Sequence, residues 1–230
     1  MAENNDVQTI AILGGTGKEG KGLAYRWALA GYRVLIGSRS EEKALAAVSD
    51  LKGLLSSADV KVEGMVNDIA AAKADIVVLT VPYAAHRATL ESLKDVLQGK
   101  ILIDVTVPLV PPKVTKVQMP PAGSAAQEAQ EILGEDVQVV AAFQSISYEN
   151  LLKDGDANCD ILVTGKGQAA RDVVLELVKN AGLVGWDAGP IENSVVVEGM
   201  TSILIGLNKK YGVTSSGIRI TGVPRPEFEA

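Results

Sequence analysis

Histidine and cysteine are almost absent from this chain of 230 residues, which contains only His86 and Cys159. One cysteine excludes an intramolecular disulfide framework and any multi-cysteine metal site, so we expect Cys159 to be an inert thiol. One histidine excludes metal sites built on paired imidazoles, and no GxSxG motif supplies the nucleophile of a Ser-His-Asp triad. We therefore expect no metal site. His86 follows Pro82 at the start of a predicted helix, where a surface or capping role is expected and contact with a ligand is the alternative.

An excess of basic residues is also lacking, since 22 Lys and Arg stand against 28 Asp and Glu and the net charge is −6. This balance argues against a nucleic-acid partner, so anionic ligands must be held by local cationic pockets. The first residues are polar, and the most apolar helical segment is interrupted by Glu198, Gly199 and Gly206. We therefore expect a cytoplasmic protein without a membrane partner. The length and a hydrophobic content of 47% fit one α/β core with a small appendage.

The most informative motif is a glycine-rich turn between a predicted strand at residues 10–13 and a helix. Gly15, Gly17 and Gly20 fit the GxGxxG spacing, and Gly14 with the last two fits GxxGxxG. Glycines at these positions let the backbone turn tightly and let its N–H groups and the positive helix end face a pyrophosphate. With a strand before it and a helix after it, the turn predicts a dinucleotide-binding unit.

The residues after the second strand predict which dinucleotide is bound. An NAD site carries Asp or Glu about 20 residues after the glycines, where it binds the ribose 2′-hydroxyl. This chain has Ser38 there, followed by Arg39 and Lys43. A hydroxyl, a guanidinium and an ammonium group suit a 2′-phosphate, so we expect NADP. The alternative is that the two cations are solvated surface charges.

Strand and helix patterns alternate along the chain, which predicts a Rossmann-type, doubly wound α/β fold with a mostly parallel sheet and a small C-terminal helical part. We expect a dinucleotide-binding domain at residues 1–188 and a helical segment and tail at 189–230. The expected strands are 10–13, 33–36, 60–63, 75–80, 100–105, 137–142, 160–164 and 184–187. The expected helices include 41–55, one that ends at Leu97, one that Ser124 caps, and 168–180.

Two strand ends should face the ligand crevice, because ligands bind outside the carboxyl ends of parallel strands. These ends carry Thr80, Val81 and Pro82 after one strand and Ala142, Phe143 and Gln144 after another. A proline-rich loop at 107–123 lies between them. It is either a lid or partner-binding segment or a rigid crossover without a further role.

The last helical pattern covers residues 191–211 and is apolar on several faces. Val196, Met200, Ile203 and Leu207 form one stripe at helical spacing. Val197 and Leu204 widen this stripe. We expect the helix to pack against the domain, with contact to a second subunit or to an apolar ligand as alternatives.

Taken together, these motifs resemble the NADPH-dependent deazaflavin coenzyme reductases (8-hydroxy-5-deazaflavin:NADP oxidoreductases) over nearly the whole chain. The resemblance is carried by LGGTGKEGKGLA at 13–24, GSRSEEKA at 37–44, DIVVLTVP at 75–82, DAGP at 187–190, VEGMTSILIGLNKKYG at 197–212 and the closing GIRITG. The resemblance implies a homodimer that transfers a hydride between NADP(H) and the deazaflavin.

The resemblance also implies roles for individual residues. It places Thr16, Lys18 and Glu19 at the pyrophosphate of NADP and Ser38, Arg39 and Lys43 at its 2′-phosphate. It places Val81 and Pro82 near the nicotinamide, and Phe143, Gln144 and Ile146 near the deazaflavin. Two departures stand out. Family members often carry histidine where this chain has Phe143-Gln144-Ser145, and they usually carry Asn-Leu at Lys18-Glu19.

Two other functions fit the same residues. One is an NADPH-dependent reductase of another small acceptor, such as an imine, a ketone or a ferric complex. That reaction needs a proton donor, for which Tyr83, His86 and Tyr148 are the candidates. The other is a module that binds NADP without catalysis and reports it to a partner.

Overall fold

One twisted sheet organises the computed structural model, which describes residues 8–55, 60–153 and 157–225. In these residues eight strands lie in the spatial order β3-β2-β1-β4-β5-β6-β7-β8. The strands are β1 (Thr9–Leu13), β2 (Arg33–Ser38), β3 (Val62–Val66), β4 (Ile76–Leu79), β5 (Ile101–Asp104), β6 (Gln138–Ala141), β7 (Asp160–Gly165) and β8 (Val184–Asp187). The helices are α1 (Lys18–Leu29), α2 (Glu41–Leu54), α3 (Asn67–Lys73), α4 (Tyr83–Leu97), α5 (Ala125–Leu133), α6 (Tyr148–Leu151), α7 (Gln168–Asn180) and α8 (Ser194–Tyr211).

The strand order reverses between β1 and β4. From β1 the chain continues outwards to β2 and β3, and it then returns to β4 on the other side of β1. All neighbours from β3 to β6 are parallel, whereas β7 pairs with β6 in the antiparallel sense and β8 is parallel to β7. The expected Rossmann-type, mostly parallel sheet is therefore confirmed. Its reversal point opens a crevice beyond the carboxyl ends of β1 and β4.

The two faces of the sheet bury separate apolar layers. Side chains alternate along β1, so that Ile10 and Ile12 join Trp27 in one layer while Ala11 and Leu13 join the other. All five residues of β1 are buried. Burial on both faces explains why the central strands read as continuous apolar runs rather than as alternating patterns.

Most predicted elements are confirmed, but the third strand is displaced from the expected residues 60–63. It pairs with β2 so that Gly64 lies beside Ile36 and Met65 beside Gly37. Gly64 is needed because a Cβ there would come within 2.7 Å of the Ala44 carbonyl carbon in α2. The sequence pattern alone did not reveal this strand–helix contact. The predicted cap of α5 is confirmed, since Ser124 Oγ accepts a hydrogen bond from the Gln127 N–H at 3.0 Å.

Helix α8 packs on the sheet along only part of its surface. Val197 and Leu204 are buried, and both oxygens of the buried Glu198 side chain accept hydrogen bonds from backbone N–H groups at the start of α5. The expected packing of this stripe against the domain is wrong for three of its residues, because Val196, Ile203 and Leu207 are 62%, 50% and 39% exposed in the single chain. Contact with a second subunit stays a prediction for them. The division of the chain at residue 188 stays a prediction.

None of the helices in the described ranges has both the length and the apolar character that crossing a membrane requires.

Trp27 joins helices α1 and α7 and offers a test of this packing. It is fully buried, and its indole N–H donates to the Leu177 carbonyl at 3.0 Å. Replacing Trp27 with Phe removes this hydrogen bond and leaves unfilled space in the core, while the Leu177 carbonyl keeps its bond from the Ala181 N–H at 3.0 Å. We therefore expect the free energy of unfolding to fall by about 1–3 kcal/mol in urea denaturation. Leu45→Ala, at a side chain that is 53% exposed, is the control and should change it by less than about 0.5 kcal/mol. Equal effects of the two substitutions would contradict the packing role.

Candidate functional site

A cavity of about 1250 Å³ lies beyond the carboxyl ends of the central strands. Its wall is formed by the turn after β1, the ends of β2 and β4, the N-terminal ends of α1, α2 and α3, several residues of α4, the segments after β5 and β6, and one residue of α8, Thr201. Drug-sized ligands usually occupy cavities of about 300–1000 Å³. The volume is therefore sufficient for more than one small molecule.

The glycine turn forms one end of this cavity. Thr16, Gly17 and Lys18 lie on its wall, and Gly17 is the N-cap of α1, where it has no side chain to satisfy the first N–H groups of the helix. Gly15 and Gly20 lie beneath the wall. A Cβ on Gly20 would come within 2.7 Å of the Gly15 Cα, so these two glycines allow α1 to pack closely on β1.

The charged groups at this end favour an anion. Lys18, Arg39 and Lys43 reach the wall, and Glu19 is the one acidic residue among the wall residues that the structure describes. Burial raises the pKa of Glu19 to about 8. The carboxyl group is then mostly protonated at neutral pH, so that it does not oppose the cations and the positive end of α1.

The three residues expected at a 2′-phosphate meet at the end of β2. Ser38, Arg39 and Lys43 all line the cavity. Ser40 accepts a hydrogen bond from the Lys43 N–H at 3.5 Å and so begins α2 beside them. Asn67 also lines the wall, and its side-chain oxygen accepts from the Gly14 N–H at 3.4 Å. Sequence reasoning missed Asn67, although its place directly after β3 matches that of residues already chosen at other strand ends.

The other end of the cavity is mainly apolar. Thr80, Val81, Pro82, Phe143, Gln144 and Ile146 line it as expected, together with Leu109, Pro111 and Val114 of the proline-rich loop. Ala142 is fully buried behind this wall. Phe143 has a positive φ of 72°, which is rare outside glycine and indicates local backbone strain. Its ring packs edge-on against Trp27 with 5.6 Å between centroids, and this contact holds the strained residue in place.

The proline-rich loop packs against α8. Residues 105–124, all of which the structure describes, form neither helix nor strand. Ser202 donates to the Lys116 carbonyl at 3.5 Å, and a Cβ on Gly199 would lie 3.2 Å from the end of the Met119 side chain. The small residues that interrupt the apolar pattern of α8 therefore face this loop.

His86 is fully buried, so the expected surface role is wrong. It shares the inward face of α4 with Leu90, Leu93 and Leu97. Its Nε2 lies 2.7 Å from a carboxylate oxygen of Asp104, and its Nδ1 lies 3.5 Å from one of Glu128.

The charge of His86 follows from these neighbours. Burial lowers the pKa of His86, but the hydrogen bond and charge of Asp104, together with Glu128, outweigh this effect and raise it above the usual value. Tyr83 donates to Glu128 at 3.1 Å, and burial and that carboxylate raise the pKa of Tyr83 to about 12. Tyr83 therefore keeps its proton at neutral pH.

Comparison with known proteins adds independent findings. Residues 9–108 match the family described as NADP oxidoreductase, coenzyme F420-dependent. The F420-dependent NADP reductases of Methanothermobacter thermautotrophicus and Methanocaldococcus jannaschii are 41% and 40% identical to the chain, over 96% and 93% of its length and 98% of each relative. A crystal structure of a candidate F420-dependent NADP-reductase from Arthrobacter sp. FB24 has a TM-score of 0.77 at 26% identity and covers 92% of this chain and 98% of that one.

Gly17 allows the anion-binding end to be tested without disturbing the fold. The nearest atom that a Cβ there would meet is the Gly14 carbonyl oxygen at 3.6 Å, an ordinary contact distance. Gly17→Ala should therefore fold normally, while its methyl group occupies the approach to the helix end. We expect NADPH affinity, measured by calorimetry, to fall by about tenfold or more, which is the loss of one or two hydrogen bonds to a charged group.

Gly53→Ala is the matched control for this experiment. Gly53 lies in α2 with open space around it in the described structure. Circular dichroism should show two folded variants, and NADPH binding should change only in Gly17→Ala. Undiminished binding by a folded Gly17→Ala protein would place the dinucleotide elsewhere.

Proposed function

The chain belongs to the family of F420-dependent NADP reductases, and we propose that it transfers a hydride between NADP(H) and coenzyme F420, an 8-hydroxy-5-deazaflavin. The observation that carries this proposal is a single cavity with two unlike ends. One end combines a free helix N-terminus with three cations, and the other is an apolar slot. Two cofactors that exchange a hydride need an anion cradle and a dry space in which their rings meet.

We assign the adenosine half of NADP(H) to the cradle. Gly17, Thr16 and Lys18 would hold the pyrophosphate, with Gly15, Gly20 and the protonated Glu19 supporting the turn. Ser38, Arg39 and Lys43 would hold the 2′-phosphate, where an NAD-specific chain would carry an acid. This assignment is supported by the cationic wall and by the close packing of the two buried glycines.

We assign the nicotinamide and the deazaflavin to the apolar slot. Thr80, Val81 and Pro82 would face the nicotinamide, and Phe143, Gln144 and Ile146 the deazaflavin, with Ala142 fixing the strand end behind them. In such a transfer both reacting carbons belong to the two cofactors. The chain supplies position and the exclusion of water, which the apolar side chains of the slot and of the proline-rich loop provide.

We further propose that the protein is a homodimer in the cytoplasm. The exposed face of α8 presents Val196, Ile203, Leu207 and Tyr211, a cluster that an isolated chain would leave in water. The chain has one cysteine and therefore no intramolecular disulfide framework, which agrees with a reducing compartment. If sedimentation analysis gives the mass of a single chain, the proposed dimer is wrong.

Arg39 tests the choice of NADP. Arg39→Ala should weaken NADPH binding by about 10- to 100-fold, because it removes a charge-assisted hydrogen bond to phosphate worth about 1.5–3 kcal/mol. NADH binding should be nearly unchanged, since NADH has no 2′-phosphate. Arg33→Ala is the matched control, because Arg33 pairs with Glu63 at the opposite end of β2. Equal losses for NADPH and NADH would contradict the phosphate pocket.

The reaction is tested by anaerobic mixing of the protein with NADPH and coenzyme F420. We expect the deazaflavin absorbance to bleach and to return as the ratio of NADP⁺ to NADPH is raised. Deuterium from the nicotinamide of labelled NADPH should appear on the deazaflavin carbon rather than in the solvent, because the transfer is direct. If NADPH binds but F420 does not, the reductase of another acceptor becomes the better assignment.

A further inference from the structure

A chain of buried hydrogen bonds connects His86 to the wall of the slot. His86 and Asp104 are both 0% exposed, and 2.7 Å separates His86 Nε2 from Asp104 Oδ2. The other carboxylate oxygen, Oδ1, accepts a hydrogen bond from the Thr106 N–H at 2.9 Å. The carboxylate thus joins the inward face of α4 to the segment after β5.

The backbone of Asp104 extends the chain further. Its carbonyl oxygen accepts a hydrogen bond from Gln144 Nε2 at 2.8 Å, and the hydroxyl of Thr201 in α8 donates to the Gln144 carbonyl at 2.8 Å. The side-chain amide of Gln144 is therefore oriented, because a carbonyl oxygen can only accept. The position of Asp104 fixes Thr106 through its carboxylate and Gln144 through its backbone.

Both residues fixed in this way carry an unused oxygen. Thr106 Oγ1 and Gln144 Oε1 are buried and have no hydrogen-bond partner among the residues that the structure describes. Both residues line the cavity. A buried acceptor without a partner is unfavourable, so the two oxygens suit a ligand that brings an N–H donor into the slot. The carboxamide of a nicotinamide and the pyrimidine ring of a deazaflavin both carry such donors.

We propose that His86 is a positioning residue, which holds Asp104 so that Thr106 and Gln144 present their free oxygens to a ligand N–H group in the slot. This inference rests on the proposed hydride transfer for the identity of the ligands. His86 serves by its donor atom, Nε2, which lies 2.7 Å from Asp104 Oδ2. Without that donor the buried Asp104 carboxylate would lose one of its hydrogen bonds, and its position would no longer be fixed.

Two conservative substitutions of His86 distinguish a role in positioning Asp104 from a role in filling space alone. The amide nitrogen of Gln reaches the place of His Nε2, whereas that of Asn reaches the place of Nδ1. His86→Gln should therefore keep the bond to Asp104, and His86→Asn should lose it. In the full-length protein, hydrogen exchange at the Thr106 amide should be about tenfold faster in His86→Asn and near the wild-type rate in His86→Gln.

The affinities of these variants for the two cofactors then show which cofactor supplies the N–H donor in the slot. We expect His86→Asn to bind NADPH or coenzyme F420 about tenfold more weakly, a loss of the size of one hydrogen bond. Adenosine 2′,5′-bisphosphate, which lacks the nicotinamide, should bind all variants equally. A loss for NADPH alone identifies the nicotinamide carboxamide, and a loss for F420 alone identifies the deazaflavin ring. In steady-state assays the loss should raise KM for that ligand more than it lowers kcat.

The same measurements can overturn the proposal. Unchanged exchange at Thr106 in His86→Asn, or equal behaviour of the Gln and Asn variants, would show that His86 only fills space. If His86→Asn does not fold, Thr106→Val removes one of the two oxygens directly, and full retention of both affinities would overturn the proposal. If the wild type neither binds nor reduces F420, the proposed function fails, while amide exchange and NADPH affinity still decide the role of His86.

Discussion

The site depends on the close approach of helix α1 to the ends of strands β1 and β4. Gly15 and Gly20 are in contact, and a Cβ on Gly20 would not fit there, because it would also lie 2.8 Å from the Thr80 hydroxyl oxygen. The Thr80 hydroxyl donates a hydrogen bond to the Leu13 carbonyl. This packing aims the first N–H groups of α1 at the crevice where the strand order reverses. A larger residue at either glycine would push the helix away, and both the anion cradle and the wall at Val81 would move with it.

The two ends of the cavity follow different physical rules. The cradle would attract an anionic ligand by charge and by the first backbone N–H groups of α1, interactions that tolerate exposure to water. In the slot, the Thr106 N–H and the Gln144 side-chain amide donate hydrogen bonds to Asp104, and Thr201 donates to the Gln144 carbonyl. These three bonds connect the wall of the slot to β5 and to α8. Rigid support of this kind suits a reaction in which the chain contributes position rather than reactive groups.

The sequence predicted the features that depend on local spacing. The glycine turn, the cations after β2 and the strand ends at Pro82 and Gln144 all reach one cavity, because parallel strands bring their carboxyl ends to one edge. Features that depend on contacts between distant segments were missed. His86 was expected near the surface, although its spacing of four, seven and eleven residues from Leu90, Leu93 and Leu97 places it on the buried face of α4. Its burial becomes favourable only with Asp104, which lies 18 residues further along the chain.

The departure at Lys18-Glu19 adds one basic and one acidic side chain to the anion-binding end of the cavity. An added carboxylate would repel a pyrophosphate, but burial raises the pKa of Glu19 to about 8 and leaves the group mostly neutral at pH 7. The added ammonium group of Lys18 donates a hydrogen bond to the Tyr148 hydroxyl at 3.2 Å and lies 4.7 Å from the centre of the same ring. The pair therefore adds positive charge to the cradle at neutral pH. Tyr148 is the first residue of α6, in the same segment after β6 that supplies Phe143 and Gln144 to the slot. This segment therefore also positions Lys18 at the opposite end of the cavity.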